Sequence, residues 1–397
     1  MIRSTVAHVD LAALQANFKA IQNFLAAGTA DPSHLRRSAA SAGQENPRRP
    51  VTQVIAVVKA NAYGHGAERV ALALEAAGAG LLACADIEEG IVLRRAGVRA
   101  PILVFGALSV SDLDGLFEFS LTPTISSPAA ARAVQAAAAK HSKTLGYHLK
   151  IDTGMNRLGF RHDNLRRSLP ELLGSPNLRL EAIFTHFATA DDPERTFFNE
   201  QREHFETALK TIDELGSRDR PVVHAANSAA TLRDSRVWYD MVRPGLLLYG
   251  IVPPPMATTI PLTPVMSLTS RVVAVKGLRP GEGVGYGLRF HAEKPVTTAV
   301  IPAGYADGID LRVSGRCHVL IRGRRVPIVG AVSMDMMTVD VTGLDDVSPG
   351  DEVVIIGRQG NESWQQIDAR EMAAAIGTIP YEIVCRIGSR IERHYVD

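Results

Sequence analysis

The sequence predicts an α/β protein in which a (β/α)8 TIM-like barrel is followed by a mainly antiparallel β domain. Between residues 54 and 250, short apolar runs rich in β-branched residues alternate with helical patterns, with a repeat of roughly 25 residues. Beyond residue 261, short alternating apolar and polar runs are separated by turns, which is typical of antiparallel strands. A doubly wound sheet is the competing architecture, but it usually carries a GxGxxG turn after its first strand, and that motif is absent here.

These patterns place the barrel at residues 10–250 and the β domain at residues 261–397, with a Pro- and Thr-rich connector between them. We expect an N-terminal strand at residues 2–9 to join the β domain and residues 381–393 to return as a strand. Residues 28–50 are mostly small, polar or helix-breaking, so we interpret them as a surface insertion.

Composition narrows the class of protein. A chain of 397 residues with 46% hydrophobic residues can bury a large core, and a net charge of +1 favours neither a nucleic-acid nor a membrane partner. The N-terminus lacks the apolar segment of a signal peptide, and no apolar run approaches the roughly 20 residues of a membrane span. The three cysteines are far apart in sequence, which indicates neither a disulfide framework nor a metal site. We therefore expect a cytoplasmic protein.

Lys59 follows directly after the apolar run Val54–Val58, which is typical of a parallel strand buried on both faces. A lysine there must snorkel, pair or react, because burying an unpaired charge is costly. The predicted barrel places it at the carboxyl end of a strand, where α/β proteins carry their chemistry. From this segment alone, a lysine that points to solvent is the simpler interpretation.

Polar groups also follow several other predicted strands. Any one of them could be an ordinary polar loop residue, but this interpretation explains the whole series less well. Arg243 interrupts the apolar run Met241–Tyr249, expected to be the eighth strand, and this argues against an ordinary surface ion pair. His186 alone is more typical of a hydrogen-bonded core histidine. The polar segments are Asp152–Arg157, Thr185–His186, His224, Asn227–Ser228 and Arg243–Gly245.

Several strings resemble one known family in order along the chain. KANAYGHG, at residues 59–66, closely resembles the cofactor-lysine segment of alanine racemases. HLKIDTGMNRLGF, IFTHFATAD, HAANSAA and MVRPGLLLYG resemble later segments of that family's barrel, and GEGVGYG, IPAGYADG and GAVSMDMM resemble segments of its second domain. The resemblance extends from about Thr5 to Arg393, apart from the insertion. Such an ordered series is far more specific than a lone lysine.

The resemblance implies an amino-acid racemase that depends on pyridoxal 5′-phosphate (PLP) and has the fold-type III architecture. It would interconvert L-alanine and D-alanine through a PLP aldimine and supply D-alanine for peptidoglycan. Lys59 would form the Schiff base and act as one acid/base, and Tyr286 of a partner subunit would act as the other. A homodimer with shared active sites follows from that arrangement.

The resemblance also implies roles for further residues. Lys150 matches a lysine that is carbamylated in some members, and no metal ligand is implied. Ser389 stands where some members have a phosphate-binding tyrosine, and this keeps serine open as a minor substrate. The implied cofactor-binding set is Lys59, Tyr63, His186, Asn227, Ser228, Arg243, Gly245 and Tyr381, and the substrate-facing set is Arg157, Met334, Asp335 and Tyr305.

The chemistry of racemisation is consistent with these residue types. A proton must leave one face of Cα and return to the other, so either a single base swings across or two acid/bases stand on opposite faces. Lysine and tyrosine, with ordinary pKa values near ~10, must be tuned towards neutral pH. An arginine at the cofactor ring nitrogen can only donate, which weakens the electron sink and favours racemisation over decarboxylation. A decarboxylase on the same plan and a non-catalytic PLP carrier are the alternatives.

Overall fold

The computed structural model describes residues 4–29, 51–108, 112–216, 220–360 and 364–396. The chain enters through strand β1 (Val6–Asp10) and helix α1 (Leu11–Thr29). The Asp10 carboxylate accepts a hydrogen bond of 2.7 Å from the Ala13 amide and so caps α1. Residues 28 and 29 of the expected insertion belong to this helix, and residues 30–50 lie outside the described residues, as do residues 2 and 3 of the expected first strand.

Eight parallel strands close into a barrel, which confirms the predicted fold class. Each strand pairs with its neighbours in the order of the chain, and the last pairs with the first, Val242 lying opposite Val54. A two-residue strand, β7 (Phe160–Arg161), adds to the outside of β6. The barrel strands are β2 (Gln53–Val57), β3 (Leu81–Cys84), β4 (Ile102–Val104), β5 (Thr122–Ile125), β6 (Leu145–Asp152), β8 (Leu178–Phe184), β9 (Val222–Asn227) and β10 (Met241–Arg243).

Helices cover the outside of the barrel. Their apolar faces recur at helical spacing, as in α9, where Phe198, Phe205 and Ile212 are buried. Side-chain caps begin several of them: for example, Asp86 accepts from Glu89 N, and Ser127 from Ala130 N. The helical segments are α2 (Lys59–Tyr63), α3 (Ala67–Ala76), α4 (Ile87–Arg95), α5 (Asp114–Glu118), α6 (Pro128–Lys140), α7 (Leu165–Ser168), α8 (Pro170–Leu173), α9 (Phe197–Glu214) and α10 (Ser228–Arg233).

The expected eighth strand, Met241–Tyr249, is wrong over its last six residues. The strand ends at Arg243 because Pro244 has no amide hydrogen to continue the ladder. The following residues form tight turns, with Leu248 N donating to Gly245 O at 2.9 Å. The chain therefore bends at the barrel mouth and leaves Gly245 there.

The β domain is built around one ten-stranded sheet. β1 joins it, antiparallel to β11 and parallel to the C-terminal strand, so both ends of the chain meet in this sheet. The strands are β11 (Met266–Arg271), β12 (Ala274–Leu278), β15 (Val296–Ile301), β16 (His318–Ile321), β17 (Arg324–Val329), β18 (Met337–Asp340), β19 (Glu352–Gln359), β20 (Gln365–Ile367) and β21 (Glu392–Val396), with β13 (Gly283–Val284) and β14 (Phe290–His291) forming a separate hairpin.

Helices α11 (Ala369–Ile376) and α12 (Pro380–Cys385) precede the last strand. The expected strand at residues 381–393 is therefore wrong over its first part, because Pro380 begins a helix at the position where proline is favoured. α12 packs against the turn after Lys59: a Cβ added to Gly64 would clash with the Val384 carbonyl oxygen. One hydrophobic core runs from the barrel into the β domain. No helix in the described ranges is long and apolar enough to cross a membrane.

Candidate active site

Lys59 begins an unusual turn at the carboxyl end of β2. The next four residues, Ala60–Tyr63, all have left-handed backbone conformations with φ between 52° and 54°. Hydrogen bonds of 2.8 Å from Ala62 N to Val58 O and 3.0 Å from Gly64 N to Ala60 O close the turn. A left-handed conformation costs roughly 1–2 kcal/mol for each residue that has a Cβ, so neighbouring contacts must hold this turn. The turn leaves Lys59 accessible at the barrel mouth and buries Tyr63.

Two lysines at the mouth have lowered pKa values. Lys59 is accessible from one side but surrounded by protein on the others, and desolvation, followed by the nearby charge of Arg157, lowers its pKa. Lys150, on β6, is only 6% exposed. Desolvation lowers its pKa to about 8, with further contributions from Arg157 and Arg243. Both amines therefore release a proton more readily than a free lysine, in a mouth rich in positive charge that suits anionic ligands.

Arg243, at the end of β10, is 4% exposed and is held by backbone and imidazole acceptors. Its Nη2 donates to Thr185 O at 2.8 Å and Ala225 O at 2.9 Å and lies 3.3 Å from His186 Nδ1, while Nη1 donates to His224 Nδ1 at 2.9 Å. Burial lowers its pKa to about 9, so the guanidinium remains protonated at neutral pH. No carboxylate in the described part of the chain forms an ion pair with it.

A chain of histidines extends from Arg243 into the barrel. Because Arg243 can only donate, His224 Nδ1 accepts, and its Nε2 donates to His148 Nδ1 at 3.0 Å. Burial lowers the pKa of His148 to about 4 and holds the pKa values of His186 and His224 well below their ordinary range. The histidines are therefore neutral at pH 7, and Arg243 is the permanent charge of this network.

A cradle for an anion lies between β9, β10 and the turn after Lys59. Ser228 Oγ accepts a hydrogen bond of 2.9 Å from Gly245 N. A Cβ added to Gly245 would clash with Tyr63 Oη, so the Tyr63 hydroxyl can lie against this backbone only because the residue is glycine. The Tyr381 ring, brought by α12, lies 5.8 Å from the Tyr63 ring, and burial raises the pKa of Tyr381 to about 12.

These groups fit PLP. The Tyr63 and Ser228 hydroxyls beside Gly245 suit a phosphate, and the amine of Lys59 suits an aldehyde. Among the described residues, no acceptor is found for Nε–H or the second Nη1–H of Arg243, so both remain for a ring nitrogen. Asn227, expected to contact the cofactor, caps α10 through a 2.9 Å bond from Ala230 N.

The remaining predicted residues form a separate group on the β domain. Tyr286, between β13 and β14, is 78% exposed, and Tyr305 and Met334 are also exposed. Backbone bonds join the last two segments, with Tyr305 N donating to Ser333 O at 3.0 Å. Asp335 accepts a 2.6 Å bond from Arg390. Within the described ranges, no hydrogen bond, ion pair or ring contact links this group to Lys59 or Arg243. Arg157 lies exposed on the loop after β6.

Sequence reasoning missed three contributors to the barrel mouth. His148 is the end of the histidine chain, while Glu89 and Arg393 bond to the turn after Lys59. Alternation along β6 could have indicated that His148 points inwards, because it lies two residues from the buried Lys150. Glu89 and Arg393 carry no such signal, since a glutamate in a first helical turn and an arginine on a terminal strand are ordinary.

Two family models match the chain. Residues 30–253 match the model described as alanine racemase, N-terminal domain, and residues 265–395 match alanine racemase, C-terminal domain. The chain is also 37% identical over 394 residues to the alanine racemase of Halothermothrix orenii, covering 99% of this chain and 97% of that protein. This chain belongs to the alanine racemase family. The family resemblance predicted from the motifs is thereby confirmed.

Solved structures of alanine racemases agree over the whole fold. The enzyme from Streptomyces lavendulae aligns with a TM-score of 0.88 and 32% identity, covering 100% of this chain and 98% of that chain. The alanine racemase from Bartonella henselae, solved with covalently bound pyridoxal phosphate, aligns with a TM-score of 0.80 and 28% identity over 99% of each chain. The barrel followed by a β domain is therefore the architecture of the family.

Proposed function

We propose that this protein is an alanine racemase that uses PLP to interconvert L-alanine and D-alanine. The observation that carries the proposal is the convergence of Lys59 and Arg243 at one barrel mouth. They follow neighbouring strands, since β10 pairs with β2 and Val57 N donates to Pro244 O at 3.3 Å. The amine of Lys59 and the guanidinium of Arg243, which forms no ion pair with a carboxylate in the described residues, suit a PLP racemase. Family membership and the Bartonella henselae structure support the same cofactor.

The residues at the barrel mouth would each hold a different part of the cofactor. Lys59 would hold the cofactor covalently, Tyr63, Ser228 and Gly245 its phosphate, and Arg243 its ring nitrogen. When bound, PLP supplies an electron sink that acidifies the Cα proton of the amino acid. Because Arg243 donates without losing its own proton, it leaves the ring nitrogen unprotonated and moderates that sink.

Lys59 would move the proton on one face of Cα. Its lowered pKa brings the amine closer to the pH at which it can accept a proton. Arg157, on the loop after β6, would bind the substrate carboxylate. Since L- and D-alanine present their protons on opposite faces, the second face needs its own acid/base, and in this proposal Tyr286 of the partner subunit provides it.

The exposed group on the β domain supports a homodimer. Tyr286, Tyr305 and Met334 are large side chains left exposed on one domain, and such exposure is typical of an interaction site. In the proposed dimer these residues and Asp335 complete the barrel mouth of the partner. The backbone at Met334 would then bind the substrate carboxylate together with Arg157, and Tyr305 and Asp335 would line the entrance.

Lys150 is proposed to carry a carbamate. CO2 reacts with the unprotonated amine, and a pKa of about 8 leaves a usable unprotonated fraction at neutral pH. A carbamate would replace a buried cation with an anion and hold Arg157 in place. We further propose a cytoplasmic location, supply of D-alanine for peptidoglycan, and minor racemisation of serine.

The test is incubation of purified protein with L-alanine in D2O, followed by chiral separation and mass analysis. We expect deuterium at Cα in both enantiomers and none with Lys59→Ala, which should also lose the absorbance of bound cofactor. Lys19→Ala, an exposed lysine of α1 away from the mouth, is the control. Release of CO2 from lysine or ornithine without inversion, or cofactor binding without exchange in any amino acid, would reject the proposal.

A further inference from the structure

We propose that Glu89 and Arg393 are positioning residues that hold the two ends of the left-handed turn Ala60–Tyr63 and thereby fix the amine of Lys59. This inference rests on the proposed role of Lys59 and names what places it. Both side chains bond directly to the backbone of the turn, one from the barrel and one from the β domain.

Glu89 holds the start of the turn. It lies in the first turn of α4, and its Oε1 accepts a 2.7 Å bond from Ala60 N, the amide that follows Lys59. Its Oε2 accepts another 2.7 Å bond from Ala85 N, just beyond β3. Both carboxylate oxygens are therefore used to join β3 to the residue after Lys59. Bonds to an ionised carboxylate are roughly twice as strong as neutral ones.

Arg393 holds the end of the turn. From β21, its Nε and Nη2 donate to Gly64 O at 3.2 and 3.1 Å. The same guanidinium donates at 2.6 Å to the carbonyl oxygens of Ile387, Gly388 and Ile391. Every one of these partners is a backbone carbonyl, so the guanidinium acts here as a connector between two loops.

The turn requires such support because its conformation is unfavourable. Four consecutive residues with a Cβ adopt positive φ, a conformation that brings Cβ too close to the following carbonyl oxygen. Without contacts at both ends, the turn would relax towards ordinary conformations and carry the Cα of Lys59 with it. Misplacing a reacting group by about 1 Å can cost on the order of 10²-fold in rate.

Glu89 also acts through its charge. The titratable and charged groups that act on Lys59 are Glu89 and Cys385, which raise its pKa, and Arg157 and Arg243, which lower it. Neutralising Glu89 should therefore lower the pKa of Lys59 further. Replacing Arg393 with lysine keeps the total charge and removes the paired guanidinium bonds to Gly64 O, so it tests the bonds to the turn without a change of charge.

The experiment compares Glu89→Gln and Glu89→Asp with Glu88→Gln, and Arg393→Lys with Arg316→Lys. Glu88 is the exposed neighbour on α4, and Arg316 is an exposed arginine of the β domain. In cofactor-free protein, hydrogen exchange is measured over residues 60–66, and the pKa of Lys59 is obtained from the pH dependence of its reaction with an amine reagent. In PLP-loaded protein, kcat and KM for alanine are measured.

We expect faster exchange over residues 60–66 and about a 10-fold loss of kcat, with KM changed less than about 2-fold, in all three test variants. Glu89→Gln should lower the pKa of Lys59 more than Glu89→Asp does, because Glu89→Asp keeps the charge. The inference is overturned if the test variants match their controls in hydrogen exchange or in kcat. Faster exchange with unchanged kcat would mean that both residues support the structure but do not position Lys59 for catalysis. If wild-type protein fails to attach PLP at Lys59, the proposed function is wrong, while the exchange and labelling results still decide whether the two residues fix the lysine.

Discussion

Lys150 shows how burial lowers the pKa of a lysine at the barrel mouth. Its pKa of about 8 lies below the ordinary value of lysine, mainly because desolvation penalises the ammonium. Between the folded and unfolded pKa values, the unfolded chain binds more protons than the folded one. Stability must therefore rise with pH across that window, and the full cost of burying the charge is present below it.

Replacing Lys150 with methionine should make the cofactor-free protein more stable at pH 7 by about 2–3 kcal/mol. The gain should shrink as the pH rises from about 8 and should disappear only above 10.5, where wild-type Lys150 is neutral in both states. Denaturant unfolding at several pH values in bicarbonate-free buffer measures this difference. Lys143→Met, at an exposed lysine before β6, should show no pH-dependent gain. A gain that is constant with pH would contradict the burial explanation.

Among the elements, the segment after β10 matters most for the site. The strand ends at Arg243, and the turn that follows places the Gly245 backbone against Ser228 and Tyr63. A longer strand would have carried this backbone away in a regular ladder. The break after Arg243 therefore lets one short segment place both a guanidinium and the Gly245 backbone at the site.

Gly245→Ala should weaken PLP binding by about 10-fold or more, because the new methyl group forces the Tyr63 hydroxyl out of place and overpacking costs roughly 1–3 kcal/mol. Fluorescence titration of cofactor-free protein with PLP measures the change. Gly80→Ala is the matched control, since a Cβ there meets nothing within 4 Å. Equal PLP affinity in the two variants would show that Gly245 lies outside the phosphate site.

At the scale of the whole molecule, the two groups of site residues explain why one chain would be incomplete. Lys59 and Arg243 lie at the barrel mouth, whereas Tyr286 and Met334 are exposed on the β domain. A twofold-symmetric dimer can join a barrel from one subunit to a β domain from the other at both sites.

Mixing the inactive variants Lys59→Ala and Tyr286→Phe should restore activity if the sites are shared. Random reassociation makes about half of the dimers mixed, and each mixed dimer has one site with both native residues, so about a quarter of the wild-type activity is expected. Racemase activity is measured after the two variants are unfolded and refolded together, with each variant refolded alone as the control. No recovery in the mixture would place both residues in a site within one chain.

The barrel, the β domain and the family could be read from the sequence alone. Buried parallel strands such as β2 require continuous apolar runs, and the motifs after them are local strings such as KANAYGHG. The apolar runs and the motif strings can both be recognised without knowledge of the fold. The same reasoning from apolar runs was wrong after Arg243. Leu246–Tyr249 is apolar because the turn that it forms is buried, and it is not part of a strand.

The geometry of the lysine turn emerged only from tertiary packing. Ala60 and Ala62 give no signal for positive φ, because residues with a Cβ normally avoid it, and Asn61 between them is the one residue of a type that adopts it more often. The bonds that hold them come from Glu89, 29 residues away, and from Arg393, 329 residues from Gly64. Local sequence specifies which residues can react, but contacts between distant segments offset the unfavourable backbone that places them.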